Sequence, residues 1–337
     1  MEQRTIRWGI LGAGAILDRW MKGARQIGDM ELVAIASRTE ESARRMAKKH
    51  GIPEVLSMDA LLSREDIDVV YIAAPHTAHR ELAMKAMRAG KAVLVEKPAG
   101  VNARELQEML DCARETGVLF MEAMWMRCFP MMDVIRRVIA EGRIGDVRMI
   151  RSANSFRAPD DGGRLYDPLR AGGGLLDVGI YCLHFNAAIL GKEPLSIHGT
   201  ASMDTDALHL QVDEQAAYIA QYDRGELAVM ISGVRTEVPN EAEIYGTKGS
   251  IFVACMTKPT RITVRTETGS EEIAIPVPQG IPGVEDEGYQ YEVAHVNDCL
   301  RRGLRESPIV RWQDSMSALK LCDALRSEWG LKYPCEK

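Results

Sequence analysis

The chain has no apolar run of the roughly 18 residues or more that a membrane-spanning helix needs, so no span is expected. It also lacks clustered positive charge. Its formal net charge is -6, and both nucleic acid and an anionic membrane are recognised by basic surfaces, so the expected partners are small molecules. The seven cysteines are scattered, with no CxxC pair and no companion histidines at metal-ligand spacing, and no metal site is expected. They read as small buried hydrophobes, and none stands out as a nucleophile. No internal repeat or low-complexity linker is present. The opening stretch, MEQRTIRWGIL, carries charge where a signal peptide needs apolar residues, which gives the expectation of a cytoplasmic protein.

What the chain does have is length for two cores and a change of rhythm part-way along. At 337 residues it exceeds what one core usually organises. From Ile6 to Met121, short β-branched runs alternate with amphipathic helical stretches, the pattern of parallel strands joined by crossover helices. The expected strands are Ile6–Leu11, Leu32–Ser37, Val69–Ala73, Ala92–Val95 and Val118–Met121. One helix is well specified: Asn102 caps it, Glu105 completes a capping box, and Gly117 ends it. Gly28, Gly51 and Gly90 are expected to close others in the same way.

Beyond about Ala123 strands with turn signals take over, as in Glu214–Tyr222 and Leu227–Val234 around Asp223-Arg224-Gly225, or Arg261–Thr266 and Glu272–Val277 around Thr268-Gly269-Ser270. Helices at about Glu287–Arg302 and Asp314–Trp329 complete that half. The expected fold is therefore α/β. A doubly wound, Rossmann-type parallel sheet spans residues 1–123, and residues 124–337 form an α+β domain with a large, open-faced, mostly antiparallel sheet.

The first strand runs into Gly12-Ala13-Gly14-Ala15-Ile16-Leu17, a turn that lets backbone amides approach a pyrophosphate at a helix N-terminus. Leu17 stands where the third glycine of GxGxxG belongs, so close helix packing must be arranged differently. The second strand ends in Ser37-Arg38, where an NAD site usually offers a carboxylate to the ribose. A hydroxyl and a guanidinium suit a 2′-phosphate, which predicts NADP(H) in preference to NAD(H); the other reading of Arg38 pairs it with Glu40 or Glu41. Lys97 ends the fourth strand at the carboxyl edge of the sheet, where ligands of open α/β sheets bind, and Pro98 keeps it out of helical conformation. His76 follows the Val69–Ala73 strand at the same edge, as a site residue or as a helix cap. After Gly172-Gly173-Gly174 a helix to Leu190 would align Asp177, Tyr181 and His184 at i, i+4 and i+7. Asp177 also suits a helix N-terminus, and the two aromatic rings also suit a core.

The glycine turn, Glu96-Lys97-Pro98 and the segment from Gly172 to Tyr181, in that order, resemble the Gfo/Idh/MocA oxidoreductases over nearly the whole chain. Pro75-His76-Thr77-Ala78-His79, the stretch Met121 to Arg127, and Arg164-Leu165-Tyr166-Asp167-Pro168 are most similar to the branch holding dimeric dihydrodiol dehydrogenase and NADP-dependent D-xylose dehydrogenase. The resemblance implies hydride transfer to or from a sugar, polyol or diol carbon, with Lys97, Tyr181 and Asp177 as the catalytic residues. Tyr181 stands where some members carry histidine. Residues and resemblance together assign the cofactor to Gly12, Gly14, Ala15, Ile16, Ser37, Arg38, Pro75, His76, His79, Glu96 and Lys97. They assign the substrate to Trp125, Arg127, Phe156, Arg164, Asp177 and Tyr181. Dimerisation, or a higher homo-oligomer, through the open sheet face is implied as well. Two rival functions stay open. A redox-assisted, NAD-dependent glycoside hydrolase would hold its cofactor through dialysis, and a non-catalytic NADPH sensor would bind without turnover.

Overall fold

The computed structural model describes residues 4–159, 163–203, 211–275 and 288–336. In chain order its first elements are β1 (Ile6–Leu11), α1 (Ile16–Ala24), β2 (Met30–Ala36), α2 (Glu40–His50), β3 (Glu54–Val55), α3 (Met58–Leu62), β4 (Val69–Ile72), α4 (His79–Arg88), β5 (Ala92–Glu96), α5 (Ala103–Thr116) and β6 (Phe120–Ala123). These are followed by α6 (Pro130–Ala140), β7 (Val147–Ser155), α7 (Ile180–Leu190), β8 (Ser196–Ser202), β9 (Gln215–Gln221), β10 (Leu227–Gly233), β11 (Val238–Gly246), β12 (Gly249–Val253), β13 (Arg261–Thr266), β14 (Gly269–Ala274), α8 (Tyr289–Arg301) and α9 (Trp312–Glu328).

Two compact units emerge, and their boundary differs from the sequence-based division at Ala123. The first joins Met1–Cys128 to Pro278–Ser315, the second Phe129–Val277 to Met316–Lys337. The reason is visible at α8, which was expected to complete the second domain. Gly23 of α1 has no room for a Cβ, which would lie 2.5 Å from the Gln290 amide nitrogen, so α1 and α8 pack backbone to backbone. Leu17 is fully buried. The Trp8 indole donates to Asn297 Oδ1 at 3.1 Å, tying β1 to the same helix.

The first unit's sheet runs β3-β2-β1-β4-β5-β6, all parallel, with the order reversing between β1 and β4. Strands buried on both faces carry little alternation, as β4 and β5 show. The short β3 was missed because two residues carry no periodicity. Asn102 accepts from the Glu105 amide, the expected cap, while Glu105 Oε2 accepts from the Val101 amide, one residue before the position a capping box uses, and Gly117 closes α5 in left-handed conformation. Gly51 caps α2 similarly, but α1 ends at Arg25 and Gly28 caps nothing.

In the second unit the sheet runs β14-β13-β12-β11-β7-β10-β9-β8. It is antiparallel except for the β7–β10 pair, which is parallel. The last hairpin turns one step earlier than expected, with Thr266 facing Gly269; Val277 and Glu287 lie outside the described residues. α7 packs on the inner face, where the Tyr218 hydroxyl donates to the Gly179 carbonyl at 3.4 Å. Among the described residues, Pro168–Leu190 is the one stretch long and apolar enough to cross a bilayer by length and hydropathy. It is 83% buried inside the protein, as befits a core helix.

Candidate active site

The first unit gathers its site residues on the carboxyl edge of its sheet. β1 and β5 flank β4, so the glycine turn and Lys97 stand on either side of the point where strand order reverses. Gly12, at φ +104°, and Gly14 both press on the end of β4: a Cβ on Gly12 would collide with the Ala73 carbonyl, and one on Gly14 would lie 2.8 Å from the same oxygen. Their own amides are used inside the protein, Gly12 to Ala36 O at 2.8 Å and Gly14 to Ala73 O at 3.0 Å. Leu17 and Asp18 donate back to Gly14 O and Ala15 O, so the amides left at the start of α1 are those of Ala15 and Ile16. A dinucleotide fits here because the glycines bring the helix start close and Ala15 and Ile16 supply the donors.

At the end of β2, the Ser42 hydroxyl lies 3.0 Å from Ser37 Oγ. Arg38 is exposed, and Glu40, its expected alternative partner, instead accepts from Arg44 Nε at 3.1 Å. Pro75 begins the tight turn His76–Ala78 by accepting from the Ala78 amide, and the His76 ring meets His79 edge-on at 5.7 Å. His79 was expected to touch the cofactor. It is fully buried instead, with Nδ1 2.8 Å from Pro98 O and Nε2 2.9 Å from Ala74 O. Burial lowers its pKa against the pull of those carbonyls. A neutral ring has one N–H, so His79 donates to one of these carbonyls and packs against the other, between the turns after β4 and β5.

Lys97 is held by its backbone. Its amide donates to Glu96 Oε2 at 3.2 Å, the peptide to Pro98 is cis, and the Ala99 amide donates to Glu122 Oε1 at 2.9 Å. Glu96 is itself fixed by the Tyr71 hydroxyl, which donates to Oε1 at 2.5 Å. Behind them lies Glu292 of α8, fully buried, whose carboxyl is pushed well above the usual range by burial and by the Glu96 charge. Tyr71, Glu122 and Glu292 were missed by the sequence reading: one looked like core, the others like ordinary strand and helix residues.

Two expected substrate contacts sit deep in the first unit. Trp125 stacks on Tyr289 at 4.6 Å and is almost wholly buried. The Arg127 guanidinium is buried 3.0 Å from the Asp314 carboxylate, which Arg311 also holds at 2.7 Å. A guanidinium out of water needs such a partner, so Arg127 is committed to structure rather than to substrate.

The second unit carries Phe156, Arg164, Asp177 and Tyr181. Phe156 follows β7, partly exposed, with its amide on Gly233 O at 3.2 Å. The expected helix begins as a π turn, Leu175–Gly179, before α7. Its i→i+5 bonding widens the turn that carries Asp177. Asp177 Oδ1 accepts from Arg164 Nη2 at 3.1 Å. Tyr181 lies in the first turn of α7, nearly buried, and His184 is fully buried. Gly191 ends the helix as expected.

Comparison with known proteins accords with this layout. Residues 6–124 match the model of the oxidoreductase family with an NAD-binding Rossmann fold, GFO_IDH_MocA, and residues 132–252 match the GFO/IDH/MocA C-terminal domain. The chain belongs to the Gfo/Idh/MocA oxidoreductases. Among its relatives is trans-1,2-dihydrobenzene-1,2-diol dehydrogenase of Bos taurus, 35% identical over 344 residues and covering 99% of both chains. The structure of KijD10, a 3-ketoreductase from Actinomadura kijaniata in complex with NADP and TDP-benzene, superposes with a TM-score of 0.85 at 25% identity, covering 96% of this chain and 98% of that one. Aldose-aldose oxidoreductase from Caulobacter crescentus shares the fold, with a TM-score of 0.86 at 23% identity over 95% of this chain and 96% of that one. The Gfo/Idh/MocA fold thus comes with oxidoreductases named for diols and for sugars.

Proposed function

We propose that this chain is an NADP(H)-dependent dehydrogenase of sugars, polyols or diols, with Tyr181 as acid/base and Lys97 assisting. The observation that carries the proposal is the pairing of the glycine turn with a backbone-clamped Lys97 on one sheet edge, where strand order reverses. The bound nicotinamide supplies the hydride acceptor or donor. Tyr181 then exchanges one proton with the substrate oxygen, and the Lys97 ammonium donates a hydrogen bond to that oxygen as charge develops on it. Phe156, Arg164 and Asp177 are the proposed substrate contacts from the second unit, and Trp125 is the one proposed from the first.

Arg38 supports the phosphorylated cofactor, because it is exposed at the end of β2 and Glu40 is occupied by Arg44. NADP+ reduction followed across aldoses, polyols and aromatic dihydrodiols tests the whole reading. Turnover that Tyr181→Phe abolishes supports it; wild-type kcat in that variant across pH would sink the acid–base role. An equal or lower KM for NAD+ would sink the cofactor preference.

The proposal includes a homodimer on the outer face of the eight-stranded sheet. That face exposes Ile219 (50%), Met149 (38%) and Ile231 (37%) beside Arg151, which pairs with Glu241 and Glu243 at 2.8 and 3.1 Å. Apolar residues among charges of both signs suit a two-fold, self-complementary contact. Light scattering that gave the monomer mass at working concentration would refute it.

A further inference from the structure

The helix bearing Tyr181 starts from Gly172-Gly173-Gly174, which offers no side chain to be held by. What holds it is backbone contact with residues far away in sequence. The Tyr333 hydroxyl donates to the Gly172 carbonyl at 2.6 Å. The Gly173 amide donates to Leu165 O at 2.8 Å, the Gly174 amide to Asp213 O at 2.7 Å, and the Leu175 amide to Asp213 Oδ2 at 2.5 Å. Tyr333, fully buried, is fixed in turn. The Arg326 guanidinium lies 4.8 Å from its ring centroid, Arg326 pairs with Glu336 at 2.7 Å, and Glu336 accepts the Tyr333 amide at 2.9 Å.

We propose that Asp213 and Tyr333 are positioning residues for Tyr181, fixing the run Gly172–Leu175 from its two ends so that the phenol is presented in one orientation. The inference rests on the acid–base reading of Tyr181. Its physical basis is the start of a helix, whose first amides have no intrahelical acceptor. Asp213 satisfies two of them from a single residue, and the π turn that follows is a rare geometry with little to stabilise it on its own. Gly173 is at φ +109° and abuts the Asp213 carboxyl, so the run has no slack to find another path.

The latch has a titratable part. Burial pushes the Asp213 carboxyl up to about 7, against the downward pull of the Leu175 amide and of Arg326. The charged and titratable groups that interact with it are Arg326 from α9, Tyr333 from the segment after it and Tyr218 from β9, with Cys322 and Glu336 acting on those tyrosines and Glu214, paired with Arg235, next to it in the chain. Burial raises Tyr218 and Tyr333 well above the phenol range, and Glu336 helps keep Arg326 charged. An ionised Asp213 is the stronger acceptor for the Leu175 amide, so that one bond strengthens above about pH 7 even though desolvation of the charge weakens the fold as a whole.

The test is steady-state kinetics of the full chain across pH, with NADP+ and whichever diol or aldose turns over. Tyr333→Phe is expected to lower kcat roughly threefold to tenfold with the KM for NADP+ unchanged, the worth of one buried hydrogen bond expressed as orientation. Asp213→Asn keeps an oxygen for the Leu175 amide but cannot titrate, so it should lose an acid-side fall in kcat near pH 7 that the wild type shows. Circular dichroism checks folding, and Asp213→Glu, which restores a carboxyl, should restore the acid-side fall. Wild-type kcat in Tyr333→Phe, or an unchanged pH profile in Asp213→Asn, overturns the inference while loss of activity in Tyr181→Phe leaves the acid–base reading standing. Wild-type kcat in Tyr181→Phe overturns both.

Discussion

Lys97 and the start of the Tyr181 helix are both pinned by side chains bonded to backbone, and the two units differ in how far away in sequence those side chains lie. Around Lys97 the clamps come from within 23 residues: Glu96 on its amide, Glu122 of the adjacent strand on Ala99, and His79 of α4 on Pro98. Around the start of the Tyr181 helix the clamps reach backbone, and two of them come from Asp213 and Tyr333, 38 and 161 residues away from the amide and carbonyl they hold. Buried charge is handled alike: each unit pairs some of it, Arg127 with Asp314 and Arg326 with Glu336, and each raises one buried carboxyl toward neutrality, Glu292 and Asp213. A site held by local side chains tolerates loss of a distant contact, and a site held by distant backbone contacts does not.

The largest effect should come from breaking the paired charge. Asp314→Ala leaves the Arg127 guanidinium buried beside a cavity, and loss of one partner of a buried pair costs about 3–5 kcal/mol. Thermal unfolding should show a Tm drop of several degrees, with the KM for substrate unchanged in whatever enzyme survives. A KM increase without loss of stability would return Arg127 to the substrate.

Next in size is the pH dependence of the unpaired acid. Asp213 has a folded pKa of about 7 against 3.8 for the ordinary carboxyl, so the folded state binds its proton more tightly than the unfolded chain. Stability from this group is fully present below about pH 4 and is lost as pH rises through 7, up to roughly 4 kcal/mol. Denaturation at a series of pH values should show Asp213→Asn flattening that window. An identical slope in variant and wild type would mean that the carboxyl is ionised throughout, as a paired charge would be.

The matched glycine pair separates the two modes of presentation most directly. Gly12 at φ +104° and Gly173 at φ +109° each lack room for a Cβ, against the Ala73 carbonyl and the Asp213 carboxyl. Alanine at either should cost roughly 3 kcal/mol, from left-handed strain and overpacking together. The kinetic consequences should divide: Gly12→Ala raises the KM for NADP+, and Gly173→Ala lowers kcat. The same kinetic signature from both substitutions would erase the comparison.

The same contrast explains which features were legible in the sequence. The glycine turn, the Lys97 strand end and the Asn102 cap are local patterns whose chemistry lies within a few residues, and the parallel sheet follows from near-continuous apolar strands. His79 and Arg127 were assigned to ligands by resemblance, yet burial with carbonyl and carboxylate partners commits them to structure. The π turn before Tyr181 was invisible because an apolar run reads alike at i+4 and i+5 spacing. Asp213 carries no motif, since its meaning lies in an amide 38 residues upstream. The attachment of α8 to the first unit rests on Gly23 meeting Gln290, a contact between residues too distant for any periodicity to register.

The smallest expected effect is at the best-specified local feature. Asn102 Oδ1 accepts the Glu105 amide at 2.9 Å, and α5 follows closely on the Lys97-Pro98-Ala99 turn. Asn102→Ala should cost about 1 kcal/mol of stability, the ordinary worth of an N-cap. Because Glu96, His79 and Glu122 hold Lys97 independently of that cap, kcat should stay at the wild-type value. Chemical denaturation and steady-state kinetics on the same preparation test both halves. A fall in kcat larger than the loss of stability would show that the cap, and not the carboxylate clamps, sets the position of Lys97.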